Sequence, residues 1–174
     1  MQHRSRALWL AEAGVSLAMA WVLGTYGKIW EMPFGGSISL EMIPLFFFAY
    51  RWGGSSGVIL GVAYGFLNYI TAPWFVHWAQ VFLDYPLPFA LLGVAGYLRR
   101  MPAWIGLSVG TAGRFLAHFL SGVIFWASSA PAGMSPVYYS LAYNAFYLVP
   151  ELVITIIFFY LLRPYAKRAG LIKP

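Results

Sequence analysis

The sequence predicts an all-α integral membrane protein, a single bundle of six transmembrane helices with both termini cytoplasmic. Three observations carry this expectation. Of the 174 residues, 61% are hydrophobic and only 9% charged, with a mean hydropathy of +0.71, a balance that soluble domains do not reach. The apolar residues fall into six runs of helical-span size, and none shows the short alternating segments of a β-barrel. The basic residues sit at the ends of these runs, almost all on one side.

Residues 8–25 form the first span, preceded by Arg4 and Arg6, with Glu12 one turn inside and able to snorkel inward. The run after Arg6 is too long for a secretory signal and has no cleavage site, so Met1 is expected to be the mature start. The second span, 38–52, is short and ends at Arg51; the third, 57–73, follows a Gly/Ser turn. The fourth, 78–98, contains Asp84, Pro86 and Pro88 and is followed by Arg99 and Arg100. The fifth, 103–127, carries Arg114 and His118, and the sixth, 138–163, carries Asn144 and Glu151 ahead of Arg163, Lys167, Arg168 and Lys173.

Nine of the eleven basic residues thus share one side, Lys28 lies on the other, and Arg114 is inside a span. The positive-inside rule makes the shared side cytoplasmic. The outer connections are then residues 27–37, the turn from Thr71 to His77, and residues 127–136. None is large enough for a separate domain, so residues 1–174 are expected to form one transmembrane domain.

Composition also excludes several functions. With no cysteine there are no disulfides, thiolate metal sites or thiol nucleophiles. The histidines, His3, His77 and His118, have no metal-ligand spacing, so no metal and no cofactor is expected, and His3 and His77 read as interfacial. The net charge of +6 is explained by membrane orientation, and no nucleic-acid partner is expected. No G-x-x-x-x-G-K-[ST] loop is present, so the chain has no ATPase motif of its own.

Asp84 is the conspicuous residue, because a carboxylate in an apolar span must be paired, hydrated or neutralised. Helical rise places it roughly 9 Å below the outer end of its span, with Asn144 at roughly 9 Å and His118 at roughly 13 Å. Tyr139 and Trp126 lie just above, and Glu41 is close to the same level. Interhelical hydrogen bonds and an interfacial aromatic belt account for such residues one at a time. Together they supply what a planar cation needs: a carboxylate for its charge, aromatic faces for stacking, and an amide or imidazole for edge hydrogen bonds. Pro86 and Pro88 deprive the carbonyls of Phe82 and Asp84 of their helical donors, so a bend is expected there, either a plain kink or the opening of a pocket. Arg114 shares a helix face with His118, and its partner is Glu151 or Glu41.

The segments PFGGSISLEMIPLF (33–46), YRWG (50–53), QVFLDYPLPFALLGVAG (80–96), RFLAHFLSGVIFW (114–126) and YSLAYNAFYLVPE (139–151) together resemble the thiamine-specific S-components of energy-coupling factor transporters. The resemblance covers nearly the whole chain. It implies a substrate-capture subunit in a prokaryotic cell membrane that takes thiamine from outside. Its partners would be a coupling membrane protein and two ATPase subunits, which consume the ATP. By motif position it implies that Asp84, Tyr85, His118, Trp126, Tyr139 and Asn144 bind the vitamin, with Trp30 as a lid contact. The best-described members carry Glu at the position of Asp84, so a direct contact there could become a water bridge. It also implies docking of the first helix through small residues, Gly14 and Ala18, with Ala7 and Ala11 as a competing register.

Two other readings remain. An S-component for a different vitamin or cationic heterocycle is the nearer one. The GSSG at 54–57 matches the G-x-S-G of rhomboid intramembrane serine proteases, but Ser56 and His118 differ in depth by roughly 20 Å and cannot share a proton.

Overall fold

The computed structural model describes residues 2–172. Lys173 and the side chains of His3 and Arg4 lie outside the described part. The chain folds as an all-α bundle of six helical spans. They comprise α1 (Gln2–Thr25), α2 (Met42–Trp52), α3 (Gly54–Thr71), a broken fourth span of α4 (Trp78–Asp84) and α5 (Pro86–Leu92), then α6 (Ala103–Phe125) and α7 (Pro136–Arg168). Four helical segments, Ser5–Thr25, Trp78–Leu98, Ala103–Phe125 and Pro136–Arg168, are long and apolar enough to cross a membrane.

The short α2 is the centre of the packing. Met42 to Phe46 and Phe48 to Tyr50 are all buried, so the helix is enclosed on every side, as its uniformly apolar sequence requires. Phe47 stacks on Phe159 of α7 at 4.5 Å. Tyr64 of α3 meets Phe89 of α5 edge-on at 4.7 Å.

Helix α2 starts at Met42, four residues later than the sequence pattern predicts, because Ser37–Ile38 pairs antiparallel with Trp30–Glu31 as a two-stranded hairpin. The loop before α2 is therefore ordered by backbone hydrogen bonds. At the other end of α2, Gly53 turns the chain directly into α3 with φ 91°, a left-handed conformation suited to glycine.

The bend expected in the fourth span is a full break. Tyr85 adopts φ −119°, ψ −81°, and α5 restarts with Pro86 as its first residue. Both prolines fall in the first turn of a new helix, where an amide hydrogen has no helical partner in any case. The break is held by α3: a Cβ on Gly65 would lie 2.4 Å from the Tyr85 carbonyl oxygen, and one on Gly61 would lie 2.1 Å from that of Phe89. Gly57, Gly61 and Gly65, four residues apart, let the two backbones touch, the small-residue packing typical of membrane helices.

At the end of the bundle away from the break, the Arg51 guanidinium grips both carboxylate oxygens of Glu12. The Trp52 indole N–H also donates to Glu12, at 2.7 Å, and Arg51 Nη1 donates to the Gly170 carbonyl at 2.6 Å. These bonds tie α1, α2 and the segment after α7 together, and they show where Glu12 finds its partner.

Candidate functional site

Breaking the fourth span at Tyr85 leaves Asp84 at the end of a short helix, facing a cavity of about 320 Å³, within the range of small-molecule sites. Asp84, Tyr85, His118, Trp126, Tyr139 and Asn144 all line it. Three helices, α4, α6 and α7, together with Tyr85 at the helix break and Trp126 after α6 contribute these six side chains, so the cavity exists only in the folded bundle.

The carboxylate is oriented by donors on two sides. Gln80 Nε2 donates to Asp84 Oδ2 at 2.7 Å, and the Trp126 indole N–H donates to the same oxygen at 3.3 Å. His118 Nδ1 lies 3.4 Å from Oδ1. No lysine or arginine among the described residues pairs with Asp84. His118 Nε2 is buried with no hydrogen-bond partner among the described residues.

Aromatic rings form the walls. Trp126 meets Trp74 edge-on at 6.1 Å, and Tyr139, Tyr143 and Tyr147 run as a ladder along α7 with successive ring centroids 5.9 Å apart. Asn144 is buried between them; its Nδ2 donates to the Ser140 carbonyl at 2.8 Å, and its Oδ1 accepts from the Tyr147 hydroxyl at 3.0 Å. Nδ2 also donates to Ser140 Oγ at 3.3 Å, and the amide is thereby fixed in one orientation. The Tyr85 hydroxyl accepts from the Trp74 amide at 2.7 Å and donates to the Ala72 carbonyl at 3.1 Å, so it anchors the turn after α3.

The floor is a buried charge cluster. Arg114 Nη2 donates to Glu41 at 2.7 Å and Nη1 lies 3.7 Å from Glu151, while the guanidinium sits 4.6 Å above the Phe89 ring. Arg114 therefore faces both of the acids that the sequence offers it. Tyr64 donates to Glu41 at 2.7 Å, and Ser39 donates to Glu151 at 2.9 Å. Such a cluster is stable only when charges and hydrogen bonds are matched together.

Trp30 sits on the hairpin, 58% exposed, and is not among the residues that line the cavity. Phe34, Gly35 and Gly36 of the same loop do, joined by Lys28 and Glu31, which pair at 2.6 Å. The Tyr143 hydroxyl holds this loop down, donating to the Pro33 carbonyl and accepting from the Gly36 amide at 2.9 Å. Phe34 has φ 66°, the one non-glycine residue with positive φ among those described, a strained conformation of the kind found at ligand sites. Phe34 and Trp74 escape sequence reading because loops have no periodicity from which depth can be computed. Gln80 carries a readable signal, the four-residue spacing to Asp84 on one helix.

Gly14 and Ala18 lie on the outer face of α1 together with Ala7 and Ala11, all exposed, and a Cβ on Gly14 would meet nothing within 4 Å. Ser56 is remote from the cavity, with its Oγ accepting from the Trp9 indole at 3.0 Å. Among the described residues, no group of histidine and acidic side chains is arranged to hold a metal ion.

Comparison with known proteins gives four findings. The model of the thiamine transporter protein family matches residues 10–170. The thiamine transporter ThiT of Bacillus subtilis is 32% identical over 97% of this chain and 96% of its own length. The protein of the same name from Lacticaseibacillus paracasei is 26% identical over 90% of this chain and 87% of its own. A solved structure of ThiT from Listeria monocytogenes superposes with a TM-score of 0.84, covering 94% of this chain and 97% of that one, at 23% identity. That structural likeness concerns the fold.

Proposed function

The chain belongs to the thiamine transporter family, and from that premise we propose that it captures thiamine in the cavity beside Asp84 as the S-component of an energy-coupling factor importer. The observation that carries the reading is Asp84 itself, a carboxylate with no lysine or arginine partner among the described residues, lining an aromatic-walled cavity. Thiamine is a cation with two flat rings, and this site offers charge, stacking faces and an oriented amide together.

In this reading Asp84 offsets the ligand's charge, Trp126, Tyr139 and Tyr85 contact its rings, and His118 and Asn144 supply hydrogen bonds along ring edges. The cavity faces outward with both termini cytoplasmic, and the protein crosses a prokaryotic cell membrane several times. The outer loop held by Tyr143 closes the mouth; Phe34, not Trp30, is its cavity-facing aromatic. A coupling membrane protein docks on the Gly14 and Ala18 face of α1, and two ATPase subunits consume the ATP. The subunit needs no cofactor and catalyses no reaction.

Uptake of labelled thiamine by cells lacking their own thiamine transporter tests this reading. Accumulation is expected only when the chain is expressed together with a coupling module. Accumulation of a different vitamin instead, with none of thiamine, would favour an S-component of other specificity.

A further inference from the structure

Resting on the reading of Asp84 as the acid that meets the ligand, we propose that Gln80 is a positioning residue that couples Asp84 to the turn carrying Trp74. A ligand held at Asp84 then also fixes that stretch of the cavity wall. Gln80 is fully buried and does not itself line the cavity. Its amide faces two ways: Nε2 donates to Asp84 Oδ2 at 2.7 Å, and Oε1 accepts from the Val76 backbone N–H at 3.1 Å.

The amide donates to the carboxylate through its nitrogen and accepts from the backbone through its oxygen, two atoms facing two ways, without adding charge. The bonds complete a ring of contacts. Asp84 holds Gln80, Gln80 holds Val76, Trp74 two residues earlier meets Trp126 edge-on, and Trp126 donates back to Asp84. Tyr85, next to Asp84, binds the same turn at Ala72 and Trp74. The acid and the turn are therefore linked both through α4 and through the residue at the helix break, and a shift of either one is felt by the other.

The test uses the full chain in detergent. First, backbone hydrogen exchange at Val76 is measured without ligand in wild type and Gln80→Leu, with Gln80→Met as a second variant if the first does not fold. Exchange at least about tenfold faster in the variant is expected, because the acceptor of that N–H is gone. Second, thiamine is titrated into wild type, Gln80→Leu, Asp84→Asn and the double variant. Gln80→Leu is expected to weaken binding about tenfold in the wild-type background, as for loss of a hydrogen bond to a charged group. In the Asp84→Asn background the loss should fall below about twofold, because the route through Asp84 is already broken. Third, saturating thiamine should slow Val76 exchange in wild type and leave it unaltered in Gln80→Leu.

Unchanged Val76 exchange in the variant would overturn the proposal, and so would a tenfold loss that persists beside Asp84→Asn. A wild-type protein that ignores thiamine would sink the functional reading instead, while the ligand-free comparison still decides whether Gln80 holds the turn.

Discussion

The Trp126 indole N–H donates to Asp84 Oδ2 across 3.3 Å, joining the end of α6 to the break between α4 and α5. One side chain thus does two things at the cavity: its N–H orients the acid and its ring forms part of the wall. The substitution Trp126→Phe keeps an aromatic face and removes the donor, so about a three- to tenfold loss of thiamine affinity is expected. Trp126→Ala should lose clearly more. Equilibrium titration of the two variants separates the contributions.

Removing the charge of Asp84 is the sharper change. Asp84→Asn preserves size and leaves one oxygen to accept from Gln80 and Trp126, so the fold should be retained, with an unaltered circular dichroism spectrum. Thiamine binding should weaken by more than about tenfold, because a buried ligand cation would lose its counter-charge. Unchanged affinity would make Asp84 a purely structural residue.

Arg114 sits between Glu41 and Glu151 with about 6% of its side chain exposed. Arg114→Met leaves two buried acids without a cation, and thermal unfolding in detergent should report a loss of about 3–5 kcal/mol. Adding Glu41→Gln and Glu151→Gln to that variant should recover much of the loss, since the remaining groups are neutral. A single variant as stable as wild type would show that the cluster contributes nothing to the fold.

Two glycines make a controlled pair. Gly65→Ala forces a methyl against the backbone of Tyr85 and Pro86, with neither side free to move, so about 1–3 kcal/mol of destabilisation and weaker thiamine binding are expected. Gly14→Leu enters open space on α1 and should leave binding by the isolated chain unchanged. The same substitution should reduce recovery of a co-expressed coupling module, read by affinity purification. Normal recovery would place docking elsewhere on the surface.

Much of the architecture was legible because membrane spans are long, apolar and bounded by charge. Helical rise alone brought Asp84, His118, Trp126, Tyr139 and Asn144 to one depth, and all five line one cavity. Features that depend on tertiary contact were not legible in that way. The sequence offers Arg114 two acids, and only packing shows that it faces both. The Gly57, Gly61 and Gly65 stripe is ordinary composition until α3 meets the broken span. Trp30 and Phe34 share a loop in which neither periodicity nor depth distinguishes them; the pairing of Trp30 with Ile38 puts one on the hairpin, while the other lines the cavity.

The most direct test of the central claim is an equilibrium titration of the purified protein with thiamine, followed by tryptophan fluorescence, with riboflavin and biotin as comparators. Saturable quenching by submicromolar thiamine, absent for both comparators and shifted to much higher concentration in Asp84→Asn, is the predicted result. A folded sample that does not respond to thiamine, or that responds to another vitamin in its place, would contradict the account.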